Sequence, residues 1–247
     1  MLAIIGGSGL DRLSALEAAR SVTVSTPYGD PSAPLLFGRL NQRDVVFLAR
    51  HGENHRWPPH RINYRANLWA LREQGVKNIV AIATVGGMGT AFGAGTLALP
   101  DQILDYTWGR ASTYIDGDGA EVKHIDFTQP YCESLRAQIM HAAQRAGEPV
   151  HAGGVYAATQ GPRLETAAEI ARLARDGADM VGMTGMPEAA LARELDLCYA
   201  TLAVVVNAAA GTGASTHAID LPQAEQLGRE LMARVLKILQ EVVVDGD

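Results

Sequence analysis

The chain has 247 residues, 47% of them hydrophobic, with 26 glycines and a net charge of −6. That length suits one well-buried α/β domain and is short for two. The acidic balance excludes nucleic acid or an anionic membrane as a general partner, because no basic field exists to release counterions, so an anionic substrate must be held by local donors.

Along the chain, Met1-Leu2-Ala3-Ile4-Ile5 is apolar, but no Lys or Arg precedes it and glycines break it at once. It reads as a first strand and not as a signal peptide. No run approaches transmembrane length. Continuous apolar runs at 2–5, 44–50, 78–84, 154–159, 179–184 and 199–206 predict strands buried on both faces of a largely parallel sheet. Helical spacing predicts a helix over 64–74 with Tyr64, Leu68 and Leu71 on one face. A second over 133–146 carries Leu135, Ile139 and Ala142, and a third over 165–176 carries Ile170 and Leu173. Gly75, Gly147 and Gly177 stand where a left-handed residue ends each of them. A last helix over 222–243, with Leu227, Leu231, Val235, Leu239 and Val242, covers one face of the sheet. Strand–helix alternation with no Ser/Pro linker and no repeat predicts a single domain over 1–247, a central mixed β-sheet flanked by helices. The loops at 52–63 and 108–130 are too long to be mere connections, and such loops tend to be functional. Cys132 and Cys198 match no metal spacing and make no disulfide framework. They read as reduced core residues of a cytoplasmic protein, with catalytic thiols as the minority reading.

The chemistry gathers at strand exits. Gly6-Gly7-Ser8-Gly9-Leu10 follows the first strand. Glycines there let backbone N–H groups converge on an anion and Ser8 adds a hydroxyl, although a glycine-rich exit serves equally as a tight turn. It is neither a Walker A loop nor a full dinucleotide fingerprint. The second strand ends in Arg50-His51-Gly52, a pair suited to phosphate in the crevice at the carboxyl ends of strands; a surface salt bridge is the alternative. The third ends in Ala83-Thr84-Val85-Gly86-Gly87, where small residues admit a planar or anionic group or simply close helix–sheet packing. Met183 and Thr184 end another, the methionine as an apolar wall for a sugar or as core, with Pro187 starting the next helix. Glu165 and Asn207 can read a purine. The carboxylate accepts from N1–H, while the amide donates to O6 and accepts from a protonated N7. Only a 6-oxopurine satisfies both.

Gly6-Gly7-Ser8-Gly9-Leu10-Asp11, Ala49-Arg50-His51-Gly52, Asn63-Tyr64-Arg65-Ala66-Asn67-Leu68-Trp69-Ala70-Leu71, Gly161-Pro162-Arg163 and Met183-Thr184-x-x-Pro187-Glu188 occur in that order. The chain resembles, from first strand to last helix, the trimeric purine nucleoside phosphorylase / methylthioadenosine phosphorylase family, and is closer to the methylthioadenosine branch. The resemblance implies that Ser8, Arg50, His51 and Thr184 hold phosphate, helped by the backbone at Ala83 and Thr84, and that Met183 packs on the ribose. Val122-Lys123-His124-Ile125 with Pro130 resembles the loop that a neighbouring subunit lends to the 5′ end, with His124 as the contributor, so the resemblance implies a homotrimer with sites at subunit interfaces.

The departures sharpen the expectation. Methylthioadenosine phosphorylases carry Asp where this chain has Asn207, a second Asp in place of Ala209, and Ser in place of Glu165. Phosphorylases specific for hypoxanthine and guanine resemble this chain instead. At the 5′ end, counting back from the last helix places Ile219, with Leu221 near it, where the methylthio enzymes have small aliphatics. A register shifted by two places His217 there, as in the 6-oxopurine enzymes. The implied activity is phosphorolysis of S-methyl-5′-thioinosine to hypoxanthine and 5-methylthioribose 1-phosphate, with phosphate as co-substrate and no metal or organic cofactor. The rivals are a methylthioadenosine or inosine/guanosine phosphorylase, a nucleosidase using water, and a non-catalytic purine-binding protein.

Overall fold

In the computed structural model, the described residues are 1–10, 13, 15–117 and 121–242. Asp11 of the first motif, residues 118–120 of the second long loop, and Val243 of the last expected helix lie outside them. The described elements run β1 (Leu2–Gly6), β2 (Glu17–Val22), β3 (Leu35–Leu40), β4 (Arg43–Ala49), α1 (Tyr64–Glu73), β5 (Asn78–Gly87), β6 (Leu97–Leu99), β7 (Gln102–Asp105), α2 (Glu133–Arg145), β8 (His151–Ala152), β9 (Val155–Ala158), α3 (Ala167–Arg175), β10 (Met180–Gly182), α4 (Gly185–Glu194), β11 (Cys198–Ala208) and α5 (Leu221–Glu241).

One mixed sheet holds the eleven strands, and β5 is its spine. On one side β11 runs parallel along the whole of β5. On the other side β1 pairs parallel with Asn78–Ala81, and β10 pairs antiparallel only at Gly86 and Gly87. Between them β5 has no strand partner on that side among the described residues. This notch lies beside the carboxyl ends of β1 and β4, the position where open α/β sheets bind ligands. β3 and β2 continue antiparallel beyond β4, and β9 and β7 continue parallel beyond β10. The sheet is therefore less parallel than the apolar runs suggest. The strands that those runs do not reveal are short, or exposed like β2, whose Glu17-Ala18-Ala19-Arg20-Ser21-Val22 has no core face, or interrupted like β3, where Gly38 and Arg39 break the apolar run.

Alternation along the strands builds a core on each face. Ala3, Ile5, Ile79 and Ala81 turn towards α1 and α4, where Leu68, Leu71, Ala189 and Leu191 meet them. Leu2, Ile4, Val80 and Ile82 turn towards α2 and α5, where Leu135, Ile139, Leu231 and Val235 meet them. Each fully buried Leu, Ile or Val among them contributes about 1.5–3 kcal/mol of transfer free energy, the alanines less. Asn63 caps α1 by accepting from the Ala66 N–H, and Asp220 caps α5 by accepting from Gln223. The glycines expected to stop α1, α2 and α3 all lie at positive φ.

Two expectations are corrected here. α3 begins at Ala167 rather than at 165, because Thr166 and Glu169 form a reciprocal capping box. Glu165 is thereby left outside the helix, just before its cap. Cys132 and Cys198 are not free thiols but a disulfide, with Cα atoms 5.2 Å apart across a sequence separation of 66. The amide of Cys132, at the start of α2, donates to Tyr199 O at 2.8 Å, so the helix start sits against the start of β11. Sequence distance hid that adjacency. No helix among the described residues is long and apolar enough to cross a membrane.

Candidate active site

The notch in the sheet opens into a cavity of about 1550 Å³. Ser8, Arg50, His51, Ala83, Thr84, Glu165, Met183, Thr184, Asn207, Ala209, Ile219 and Leu221 all line it. His124 does not; it is exposed on a separate part of the surface within a single chain. His217 is also exposed and outside the cavity.

At the anion end, the glycine loop closes with the Leu10 N–H donating to Gly7 O at 3.0 Å. A Cβ on Gly7 would stand 2.5 Å from Ile82 O and 3.0 Å from Arg50 Nη1, so only glycine lets this loop approach the notch. Arg50, only 1% exposed, forms a buried bidentate pair with Glu188: Nε to Oε2 at 2.7 Å and Nη2 to Oε1 at 2.8 Å. Its Nη1 donates to Ile82 O at 2.8 Å. Burial opposes the guanidinium's charge, but attraction and hydrogen bonding to Glu188 outweigh it, and the pKa lies above that of an ordinary arginine. The alternative of a surface salt bridge is thus excluded, yet Arg50 is no free cation. Glu188 in turn accepts from Tyr199 OH at 2.8 Å.

His51 stands beside it. Its Nδ1 lies 2.8 Å from Trp57 O, and its ring stacks on His55 at 4.0 Å. A carbonyl only accepts, so Nδ1 carries the proton and Nε2 is left as an acceptor in the neutral ring. Burial, assisted by the charges of Arg50 and His55 and opposed by Trp57 O, lowers its pKa to about 3. The buried Thr184 lies at the start of α4, its N–H 3.4 Å from Tyr156 OH.

At the Glu165 and Asn207 end of the cavity, Thr159 Oγ1 donates to Glu165 Oε1 at 2.5 Å. The turn carrying Glu165 is clamped by Arg163, which pairs through both Nη atoms with Glu169 at 2.8 and 2.7 Å. Asn207 follows a bulge in β11: the register shifts between Val205 and Asn207, so that Asn207 stands opposite Gly86. Its Nδ2 donates to Ala208 O at 2.7 Å. A Cβ on Gly86 would crowd that nitrogen at 3.3 Å.

Two contributors were not assigned from the sequence. Glu188 was visible only as the last letter of a motif. Arg110, in the second long loop, donates to Met183 O at 2.8 Å, Met186 O at 2.5 Å, Thr159 O at 3.2 Å and Gln160 O at 2.8 Å. It ties together the segment with Glu165's partner and the segment with Met183 and Thr184. Only the length of its loop pointed there. Among the described residues, no group of three or more His, Cys, Asp or Glu side chains is placed to hold a metal ion.

The sequence profile of the Phosphorylase superfamily matches residues 1–241. A probable S-methyl-5′-thioinosine phosphorylase of Xanthomonas campestris pv. campestris is 55% identical over 212 residues, covering 86% of this chain and 85% of that protein. One so described from Pseudomonas syringae pv. tomato is 52% identical over 241 residues, covering 98% of this chain and 97% of the relative. Among solved structures, methylthioadenosine phosphorylase from Schistosoma mansoni in complex with adenine superposes with a TM-score of 0.91 at 30% identity, covering 98% of this chain and 90% of that one.

Proposed function

The chain belongs to the phosphorylase superfamily, and from the site that its fold assembles we propose that it catalyses reversible phosphorolysis of S-methyl-5′-thioinosine, yielding hypoxanthine and 5-methylthioribose 1-phosphate. One observation carries the reading. The 6-oxopurine pair Glu165 and Asn207 shares a single cavity with the anion-binding set Ser8, Arg50, His51, Thr84 and Thr184, and with the apolar Ile219 and Leu221. The Xanthomonas and Pseudomonas relatives described above carry the same activity in their names.

The chemistry follows from placement. Asn207 donates its second amide N–H to O6 and accepts from N7–H through Oδ1, so the leaving purine is stabilised as N7 gains its proton. Glu165 accepts N1–H through the oxygen that Thr159 leaves unoccupied. The N-glycosidic bond loosens first, the sugar acquires oxocarbenium character against Met183, and phosphate held by Arg50, His51, Ser8 and Thr184, with the Ala83–Thr84 backbone, meets C1′ from the opposite face. Ala209 leaves room where a second carboxylate would serve an adenine. Ile219 and Leu221 offer apolar surface to the S-methyl group. Neither metal nor organic cofactor enters these steps; phosphate is a co-substrate.

In this reading the working assembly is a homotrimer in which His124 reaches a neighbour's 5′ pocket. The compartment is the cytoplasm, an assignment that no longer draws on free thiols. The test is the rate of base release from methylthioinosine, methylthioadenosine, inosine and adenosine, with and without phosphate. Phosphate-dependent turnover that favours methylthioinosine is expected. Turnover indifferent to phosphate would restore the nucleosidase, and hypoxanthine binding without turnover would restore the binding protein.

A further inference from the structure

Arg50 has five N–H donors, of which Glu188 takes two and Ile82 O takes one. The difference leaves two, one on each Nη. A guanidinium anchored at three donors cannot turn about its own axis, so the free edge has one direction. Arginine otherwise carries large rotamer freedom, and an untethered one at the floor of a cavity would sample several edges. The anchor is itself anchored. Glu188, wholly buried on α4, accepts from Tyr199 OH at 2.8 Å, and Thr201 Oγ1 donates to the same phenol oxygen at 3.3 Å. Tyr199 and Thr201 sit near the start of β11, whose other end carries Asn207. Glu188 does not line the cavity and cannot touch a ligand there.

Resting on the phosphorolysis reading, we propose that Glu188 is the positioning residue of the phosphate site, acting through Arg50 by fixing which edge of the guanidinium meets the anion. Glu188 also cancels the charge of Arg50, so phosphate is gripped by directed donors rather than by a bare cation. A purely structural ion pair would affect stability alone. A positioning pair affects phosphate more than nucleoside.

Glu188→Gln keeps the shape but places an N–H opposite one donor of the fork, which breaks the bidentate grip. The apparent KM for inorganic phosphate is expected to rise about tenfold or more while the KM for nucleoside changes less than about twofold. Tyr199→Phe, a milder change that removes only the support behind Glu188, is expected to shift phosphate KM in the same direction by about two- to fivefold. Titration with inorganic phosphate, followed by thermal shift, should weaken in parallel. A folded Glu188→Gln variant with unaltered phosphate KM overturns the inference. If that variant does not fold, an unaltered phosphate KM in Tyr199→Phe does so. A natural protein whose turnover ignores phosphate overturns the phosphorolysis reading and this inference together, whereas a phosphate-dependent natural protein with an indifferent Glu188→Gln overturns this inference alone.

Discussion

Asn207→Asp changes one atom and should change the base that the cavity accepts. Asn207 Nδ2 spends one N–H on Ala208 O at 2.7 Å, leaving one N–H for O6 and Oδ1 for N7–H. That contact also makes an amide flip costly, since a flip would set Oδ1 against the Ala208 carbonyl. In the aspartate, the oxygen that replaces Nδ2 faces Ala208 O in the free protein and the complex alike, and with substrate bound it also faces O6 lone pair to lone pair, which costs about 1–3 kcal/mol. Only the O6 contact distinguishes the transition state from the free protein, and about 1–3 kcal/mol corresponds to a loss of about 5- to 150-fold in kcat/KM for methylthioinosine. Methylthioadenosine gains an acceptor for its 6-amino group but still meets Glu165, held by Thr159, with no proton on N1. Its improvement should therefore be partial until Ala209→Asp and Glu165→Ser are added. Initial rates of base release at saturating phosphate, for both nucleosides and both variants, measure this. A natural protein that uses the two nucleosides equally, or an Asn207→Asp variant whose preference moves less than about threefold, refutes the base-reading argument.

Arg50→Ala should raise the phosphate requirement far more than the nucleoside requirement, and by stranding the buried Glu188 it should also cost about 3–5 kcal/mol in urea unfolding; an unchanged phosphate dependence removes Arg50 from the site. His124→Ala should weaken nucleoside use without unfolding the chain, and activity should fall on dilution below assembly, so a fully active monomer measured by sedimentation contradicts the shared pocket. The depressed His51 gives acid sensitivity: its pKa is 6.5 unfolded and about 3 folded, so below pH 6.5 the unfolded chain binds a proton that the folded one refuses. Stability is intact above pH 6.5 and is lost as pH falls towards 3, by about 2 kcal/mol at pH 5 from 1.5 units of pH. His51→Gln should flatten that slope in chemical melts, and an unaltered slope assigns the acid sensitivity elsewhere.

Much of this site was legible because its residues sit at the ends of apolar runs, and period and punctuation are local. Leu48-Ala49-Arg50 ends a buried strand, and Arg50 therefore had to lie at the sheet's carboxyl edge. Gly75 and Gly177 marked helix ends correctly for the same local reason. The failures are non-local. The partner of Arg50 lies 138 residues away, and nothing in the spacing of either residue announces the pair. The disulfide spans 66 residues and depends on α2 meeting β11. Helical spacing places Glu165 in the third helix, although Thr166 and Glu169 spell the capping box that excludes it. That signal was present and local, and apolar periodicity overrode it.

The bulge in β11 ties fold to specificity. Without the register shift that leaves Val206 unpaired, Asn207 would stand opposite Gly87 rather than Gly86. A Cβ on Gly86 would press on Asn207 Nδ2 and Val181 Cγ1 at 3.3 Å each, so the absence of a side chain there is what leaves the amide its place. The shift thus sets the amide opposite Gly86, beside β10, whose continuation carries Met183 and Thr184. A side chain on a regular strand alternates faces and has no freedom to make that move. The same spine, β5, changes partner from β1 to β10 over Ile82–Val85, and the gap it leaves is where Arg50 reaches Ile82 O. In the proposed reading, the base and anion subsites therefore rest on two irregularities of one strand pair, the bulge on β11 and the partner change along β5, within a sheet that is otherwise continuously paired there.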